Sequence, residues 1–131
     1  MKFEEIYTSG EYLEKNPTWH VEKSPWKAKQ IMKMVARSGI APKTICEVGC
    51  GAGEILRQLQ EEMDPACSFW GYEISPQAFE LAKSRVNERL HFKLADIRQE
   101  DGSFDLILIV DMLEHLENCF SFLRDLKAKS K

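Results

Sequence analysis

Thr44-Ile45-Cys46-Glu47-Val48 runs directly into Gly49-Cys50-Gly51-Ala52-Gly53. A short apolar run ends in three glycines within five positions. Glu54 to Met63 then places Ile55, Leu56, Leu59 and Met63 on one side of a helix. Strand, tight turn and helix in that order make the βα unit of a parallel sheet. Downstream, Ser68 to Ile74 reads as a second strand, and Ser75-Pro76 supplies a cap and a first-turn proline. The helix that follows carries Ala78, Phe79, Ala82 and Val86 at helical spacing. Leu90 to Ala95 predicts a third strand and Phe104 to Val110 a fourth. A last helix, about Leu116 to Lys129, is expected to bury Leu116, Phe120, Leu123 and Leu126. Upstream, a helix begins at Ser24-Pro25, with Ser24 as N-cap, and Gly39 and Pro42 end it. Its apolar face is Ala28, Ile31, Met32 and Val35. This alternation, with strands apolar throughout, predicts a doubly wound parallel α/β sheet. In such a sheet ligands bind outside the carboxyl ends of the strands, where every chemistry-bearing residue of this chain falls.

The chain has 131 residues, 44% hydrophobic and 30% charged, which is the composition of one globular domain. Lys and Arg number 18 against 21 Asp and Glu, a net charge of -3. No basic stripe is dense enough to track phosphates, so nucleic acid is not an expected partner. The opening MKFEEIY lacks the apolar core of a signal peptide, and Leu106 to Val110 is too short to span a bilayer. Cys46, Cys50, Cys67 and Cys119 match no zinc spacing and are expected to be reduced, in keeping with a cytoplasmic protein. Residues 1–24 differ in composition from residues 25–131 and are taken as a separate aromatic cap segment. Its rings, Tyr7, Tyr12 and Trp19, together with His20 and Trp26, either cover the site or pack on the first helix. Trp26, inside that helix, is expected in the core.

Glycine-rich turns of this kind also hold dinucleotides, but the GxGxxG fingerprint would need glycine where Glu54 stands. An NAD-dependent dehydrogenase is therefore disfavoured. The pattern here is GxGxG, with Glu47 two positions before its first glycine. EVGCGAG closely resembles motif I of the class I S-adenosylmethionine-dependent methyltransferases. Glu73 ends the second strand, Ala95-Asp96-Ile97 ends the third, and FDLILIVDMLEHLEN carries the fourth and its exit. The resemblance covers roughly residues 43–129, with its motifs in order.

That resemblance implies a Rossmann-like sheet with strands in the order 3-2-1-4. It also implies S-adenosylmethionine as cofactor and a small-molecule methyl acceptor at nitrogen, oxygen or carbon. Gly49, Cys50, Gly51 and Gly53 would form the loop against the cofactor, with Glu47 near its methionine amino end. Glu73 would take the ribose hydroxyls, and Ile74 would pack on adenine. Asp96 would accept from the adenine amino group while the main chain at Ile97 meets the ring. Asp111 and Met112 would lie near the methionine part, with Glu114 and His115 toward the acceptor. His115 is the candidate general base, since an unperturbed imidazole titrates near pH ~6.5. Asp111 and Glu114 have no third partner that would make a metal site. Family members usually continue through strands five to seven, so the chain resembles a form shortened after strand four. The exposed edge of that strand is expected to pair with a second copy. The alternative function is a cofactor-binding, non-catalytic module serving as a partner subunit.

Overall fold

The computed structural model describes residues 21–112 and 116–130. Its helices are α1 (Ser24–Ser38), α2 (Glu54–Glu62), α3 (Pro76–Lys83) and α4 (Cys119–Lys127). Its strands are β1 (Thr44–Val48), β2 (Ser68–Glu73), β3 (Leu90–Leu94) and β4 (Leu106–Ile109). All pairings are parallel, and the sheet order is β3-β2-β1-β4. The parallel sheet and its alternation with helices are as the sequence predicts, and the strand order is the one the family resemblance implies.

Strand alternation divides the core between the two faces of the sheet. Ile45 and Phe69 pack with Ala28 of α1, with Ile55, Leu56 and Leu59 of α2, and with Leu90. Cys46, Val48 and Tyr72 face the other way, onto Ile97, Phe104 and the α4 residues Phe122 and Leu126. Burying one large aliphatic or aromatic side chain contributes roughly 1.5–3 kcal/mol. The two layers therefore hold β1 and β2 far more firmly than the edge strand β3, whose last two residues are exposed.

Several element ends differ from expectation, each for a local reason. Ser24 is the first residue of α1 and not its cap, because a 3-10 turn over Val21–Lys23 already leads into the helix. No break separates residues 21–24 from α1. Trp26 is 67% exposed, not core. At 100° per residue it points about 200° away from buried Ala28. Val86 is exposed because α3 stops at Lys83 and the chain turns through an Asn87–Leu90 bridge. The fourth strand begins at Leu106 because the Asp105 carboxylate accepts from the main-chain N–H groups of Lys43 and Thr44. Phe104 instead bridges Ser130 in parallel. In α4 the buried stripe is Phe122 and Leu126, one i,i+4 pair, whereas Phe120 is 77% exposed and Leu123 is also exposed. Asn118 caps this helix through Ser121 N–H, so Leu116 precedes it, yet it still packs, partly buried, against the core that holds Phe122 and Leu126.

Among the described residues no helix is long and apolar enough to cross a membrane. The four cysteines are all free thiols.

Candidate functional site

The order β3-β2-β1-β4 reverses direction between β2-β1 and β1-β4, and the carboxyl end of β1 is the point where a crevice opens. The period of two along β1 puts Glu47 on the same face as Ile45, toward α1 and α2. Along β2, Glu73 shares the face of Phe69. Two carboxyls therefore project from neighbouring strand ends into one region, and both are buried.

Glu73 is already engaged. Its Oε1 accepts from Gly51 N–H at 2.8 Å, and its Oε2 accepts from Ile74 and Ser75 N–H at 2.9 Å each. The carboxylate thus ties the glycine loop to the turn that starts α3. Burial raises its pKa, and the bonds from Ser75, Gly51 and Ile74 pull it back down. An ionised carboxyl offers about four acceptor positions, so room remains for one further donor.

Glu47 is different. It is 2% exposed, and its Oε1 has no hydrogen-bond partner among the described residues. Leaving a buried polar atom in that condition costs about 1–3 kcal/mol. Burial pushes its carboxyl well above the usual range, the neighbouring Glu73 charge adds to the rise, and Lys27 opposes it. A cationic ligand group at this atom would remove both penalties together.

The loop between them is tightly built. Gly49 and Cys50 N–H both donate to the Tyr72 carbonyl, at 2.8 and 3.2 Å, and Gly53 N–H donates to the Cys50 carbonyl at 3.0 Å. Gly49 and Gly53 have φ of 71° and 80°. A Cβ on Gly49 would meet Met112 Sδ at 2.8 Å, and one on Gly53 would run into the Phe92 ring. These two glycines let the β4 exit and a β3 ring close on the loop. Cys50 is buried, so it contributes packing and main chain, and burial raises its thiol pKa.

At the third strand end, Asp96 caps the 3-10 turn Ile97–Gln99 through Arg98 N–H. The Arg98 side chain also grips it, at 2.6 Å, and holds its carboxyl below the usual range. Ile97 buries its side chain in the α4-side core, which leaves its main chain for a ligand. Ile74 is half-buried beside Glu73.

Asp111 stands just past β4 with φ of 52°, the left-handed region, which costs a non-glycine residue of order 1–3 kcal/mol. Its side chain is 64% exposed and pairs with Lys27 Nζ at 2.6 Å. Sequence reasoning missed Lys27, although a signal was present. A cation in the first turn of a helix opposes the macrodipole and needs a reason to be there. Trp26 and Lys27 also line, with Leu106 to Asp111, an open groove of about 560 Å³ between α1 and β4. Glu114 and His115 lie outside the described residues, as do Tyr7, Tyr12, Trp19 and His20.

A family profile described as "Methyltransferase domain" matches residues 46–129. Ajmaline N-methyltransferase of Rauvolfia serpentina is 28% identical over 93 residues, which are 65% of this chain and 31% of that protein. Magnesium protoporphyrin IX methyltransferase from Synechocystis PCC 6803, solved with bound SAM, superposes with a TM-score of 0.69 at 19% identity. That superposition covers 86% of this chain and 59% of the other. A plantazolicin methyltransferase, solved with a triazolic desmethylPZN analogue and SAH, gives a TM-score of 0.70 at 21% identity, over 94% of this chain and 47% of the other. The chain thus spans about a third of the ajmaline enzyme and roughly half of the two solved structures. The profile begins on β1 and runs through α4, well over half the residues, and the superpositions show that the chain shares the fold of the two solved structures. The chain belongs to the methyltransferase-domain family and has its Rossmann-like fold.

Proposed function

We propose that this chain binds S-adenosylmethionine at the carboxyl ends of β1 and β2 and serves methyl transfer to a small-molecule acceptor. The observation that carries the reading is Glu47: a buried carboxyl with an unpartnered oxygen beside the glycine loop. That is the partner an α-ammonium group needs, and a second acid, Glu73, stands on the adjacent strand. Bound there, the cofactor supplies a methyl already activated on a sulfonium.

The protein's part is to hold, orient and exclude water. Glu73 receives a ribose hydroxyl at its remaining acceptor position while keeping its three main-chain bonds. Gly49, Cys50, Gly51 and Gly53 present loop backbone to the ligand, and Ile74 offers an apolar surface to the adenine. Asp96 and the Ile97 main chain stand at the next strand end for the adenine edge. Met112, over Gly49, borders the methionine part together with Asp111. His115 is assigned the acceptor proton. Acidic side chains around the site favour a cationic ligand and disfavour a polyanionic acceptor. Four free thiols support placement in the cytoplasm. The edge of β4 that does not face β1 is the surface on which a second copy would pair, and sedimentation tests that.

Calorimetric titration with S-adenosylmethionine, S-adenosylhomocysteine and NAD tests the cofactor assignment. Saturable one-to-one binding of the first two, and none of NAD, is the expected result. A folded chain that binds neither overturns it. Binding followed by no transfer across an acceptor screen would favour the non-catalytic module instead.

A further inference from the structure

The register of the sheet sets Glu47 of β1, Gly71 of β2 and Phe92 of β3 side by side in one row. Partners in register on parallel strands point to the same face, here the one covered by α1 and α2. The middle position of the row has no side chain, and its neighbours take the space. A Cβ on Gly71 would stand 2.6 Å from Phe92 Cδ1 and 2.8 Å from Cys50 Sγ. The Phe92 ring therefore lies across Gly71, and the Cys50 thiol reaches the same notch from the glycine loop. Gly71 has no left-handed φ, so it is needed for the space it leaves and not for its backbone. The far end of the ring, Cε1 and Cζ, abuts Gly53. Gly53 is the N-cap of α2, with φ of 80°, and its carbonyl accepts from Arg57 N–H at 3.1 Å. It is the joint between loop and helix. The loop is thus held along its whole length. Gly49 and Cys50 bond to the Tyr72 carbonyl at its entry, and Gly51 bonds to the Glu73 carboxylate in its middle. At its exit the Phe92 ring is a rigid stop against Gly53.

Resting on the cofactor reading above, we propose that Phe92 is a positioning residue for the adenosyl ligand: seated in the notch over Gly71, its ring fixes Gly53 and holds the glycine loop in its binding conformation. Phe92 acts through the loop main chain and not by contact with the ligand. A loop that is already ordered loses less freedom on binding, and the saving appears as affinity. Gly71, Phe92 and Gly53 form a matched set, in which the size of the side chain at each position is limited by the other two.

The test sets calorimetric affinities for S-adenosylhomocysteine beside urea midpoints, on the full chain. Phe92→Ala should weaken binding about tenfold, as the loop must then be ordered by the ligand. Phe92→Met refills the notch with an adaptable chain of similar reach and should restore most of the affinity. Phe92→Tyr keeps the ring but adds a hydroxyl at the atom facing Gly53, and it should weaken binding. The control is Leu90→Val, at a fully buried residue on the same face of β3 but at the strand end away from the loop. It should lower the urea midpoint and leave affinity unchanged. Partial unfolding does not imitate the effect, since a chain about nine-tenths folded loses only about 1.1-fold in apparent affinity. Should Phe92→Ala fail to fold, Phe92→Leu and Phe92→Tyr decide the matter. Full affinity in folded Phe92→Ala or Phe92→Leu, or a loss of equal size in Leu90→Val, overturns the proposal and leaves the cofactor reading standing. A wild-type chain that does not bind S-adenosylhomocysteine overturns the cofactor reading itself.

Discussion

Replacing Glu73 by glutamine changes one oxygen into an NH2 group and tests how the glycine loop is held. The carboxylate accepts one main-chain N–H on Oε1, from Gly51, and two on Oε2, from Ile74 and Ser75. A glutamine can place its single oxygen on the side of Ile74 and Ser75, which keeps two bonds and turns its NH2 toward the Gly51 N–H. The opposite flip keeps only the Gly51 bond, so the first is favoured. One hydrogen bond to a charged acceptor is then lost, worth about 1.5–3 kcal/mol, and a buried N–H faces another donor. Relief from burying a charge offsets part of this, since burial works against the ionised form. The expected net destabilisation is about 2 kcal/mol. With a urea m-value of roughly 1.5 kcal/mol/M, the midpoint should fall by roughly 1 M at unchanged slope. Affinity for S-adenosylmethionine should fall as well, because the loop and the ribose acceptor are disturbed together. Glu73→Ala, which strands all three donors, should cost more. An unchanged urea midpoint for Glu73→Gln would refute the clasp.

Glu47→Gln should act in the opposite sense on the unliganded chain. A carboxyl whose folded pKa is raised weakens the fold progressively as pH climbs from the unfolded value through the folded one, so the variant should be the more stable at neutral pH and should flatten that decline. Urea midpoints across pH measure it, and parallel profiles for variant and wild type would count against a buried, unpaired Glu47. For Glu54, burial alone would raise the pKa, but hydrogen bonds from Arg57, Arg85 and Gln58 outweigh it and bring it down to about 2. Its contribution is therefore present above the unfolded pKa of about 4.3 and lost as pH falls toward the folded value, and Glu54→Gln should remove that part of the acid limb in a thermal melt series. Gly53→Ala sets a Cβ against the Phe92 ring at a positive φ and should cost about 2–4 kcal/mol by denaturant unfolding. Adding Phe92→Leu should recover the contact part and leave the backbone part, of order 1–2 kcal/mol, whereas strictly additive losses would show that the ring is not the obstacle.

The strands, helices and parallel sheet were legible in the sequence because their causes are local and periodic, whereas the strand order was what the family resemblance implied. Apolar runs of four to seven residues, glycine at Gly39 and Gly49, and proline after Ser24 and Ser75 mark most strand ends and the starts of α1 and α3 within a residue or two. The positions of the candidate acids at the strand ends were legible for a related reason. A parallel sheet delivers the last residue of each strand to one edge, so Glu47, Glu73 and Asp96 could be placed together without coordinates.

Helix faces were less secure. In α4 four apolar residues could define the buried side: Leu126 is buried as expected, but its partner on that side is Phe122, while Phe120 and Leu123 are exposed. Neighbouring helix residues point 100° apart, so choosing the adjacent apolar residue selects a different face, whereas a strand end that shifts by one residue stays at the same edge.

What each acid touches belongs to the tertiary structure alone. That Glu73 is saturated by three main-chain donors while Glu47, the same residue type one strand away, keeps an unpartnered oxygen is a property of loop backbone directions. That Asp96 is gripped by Arg98 turns on a side-chain rotamer. That Lys27 and Asp111 meet at 2.6 Å joins the start of α1 to the exit of β4 across more than half the chain's length, a contact no local pattern encodes. Periodicity and punctuation are written residue by residue and survive in one dimension. Charge pairing and polar satisfaction depend on distances between remote residues, and only the folded chain sets those.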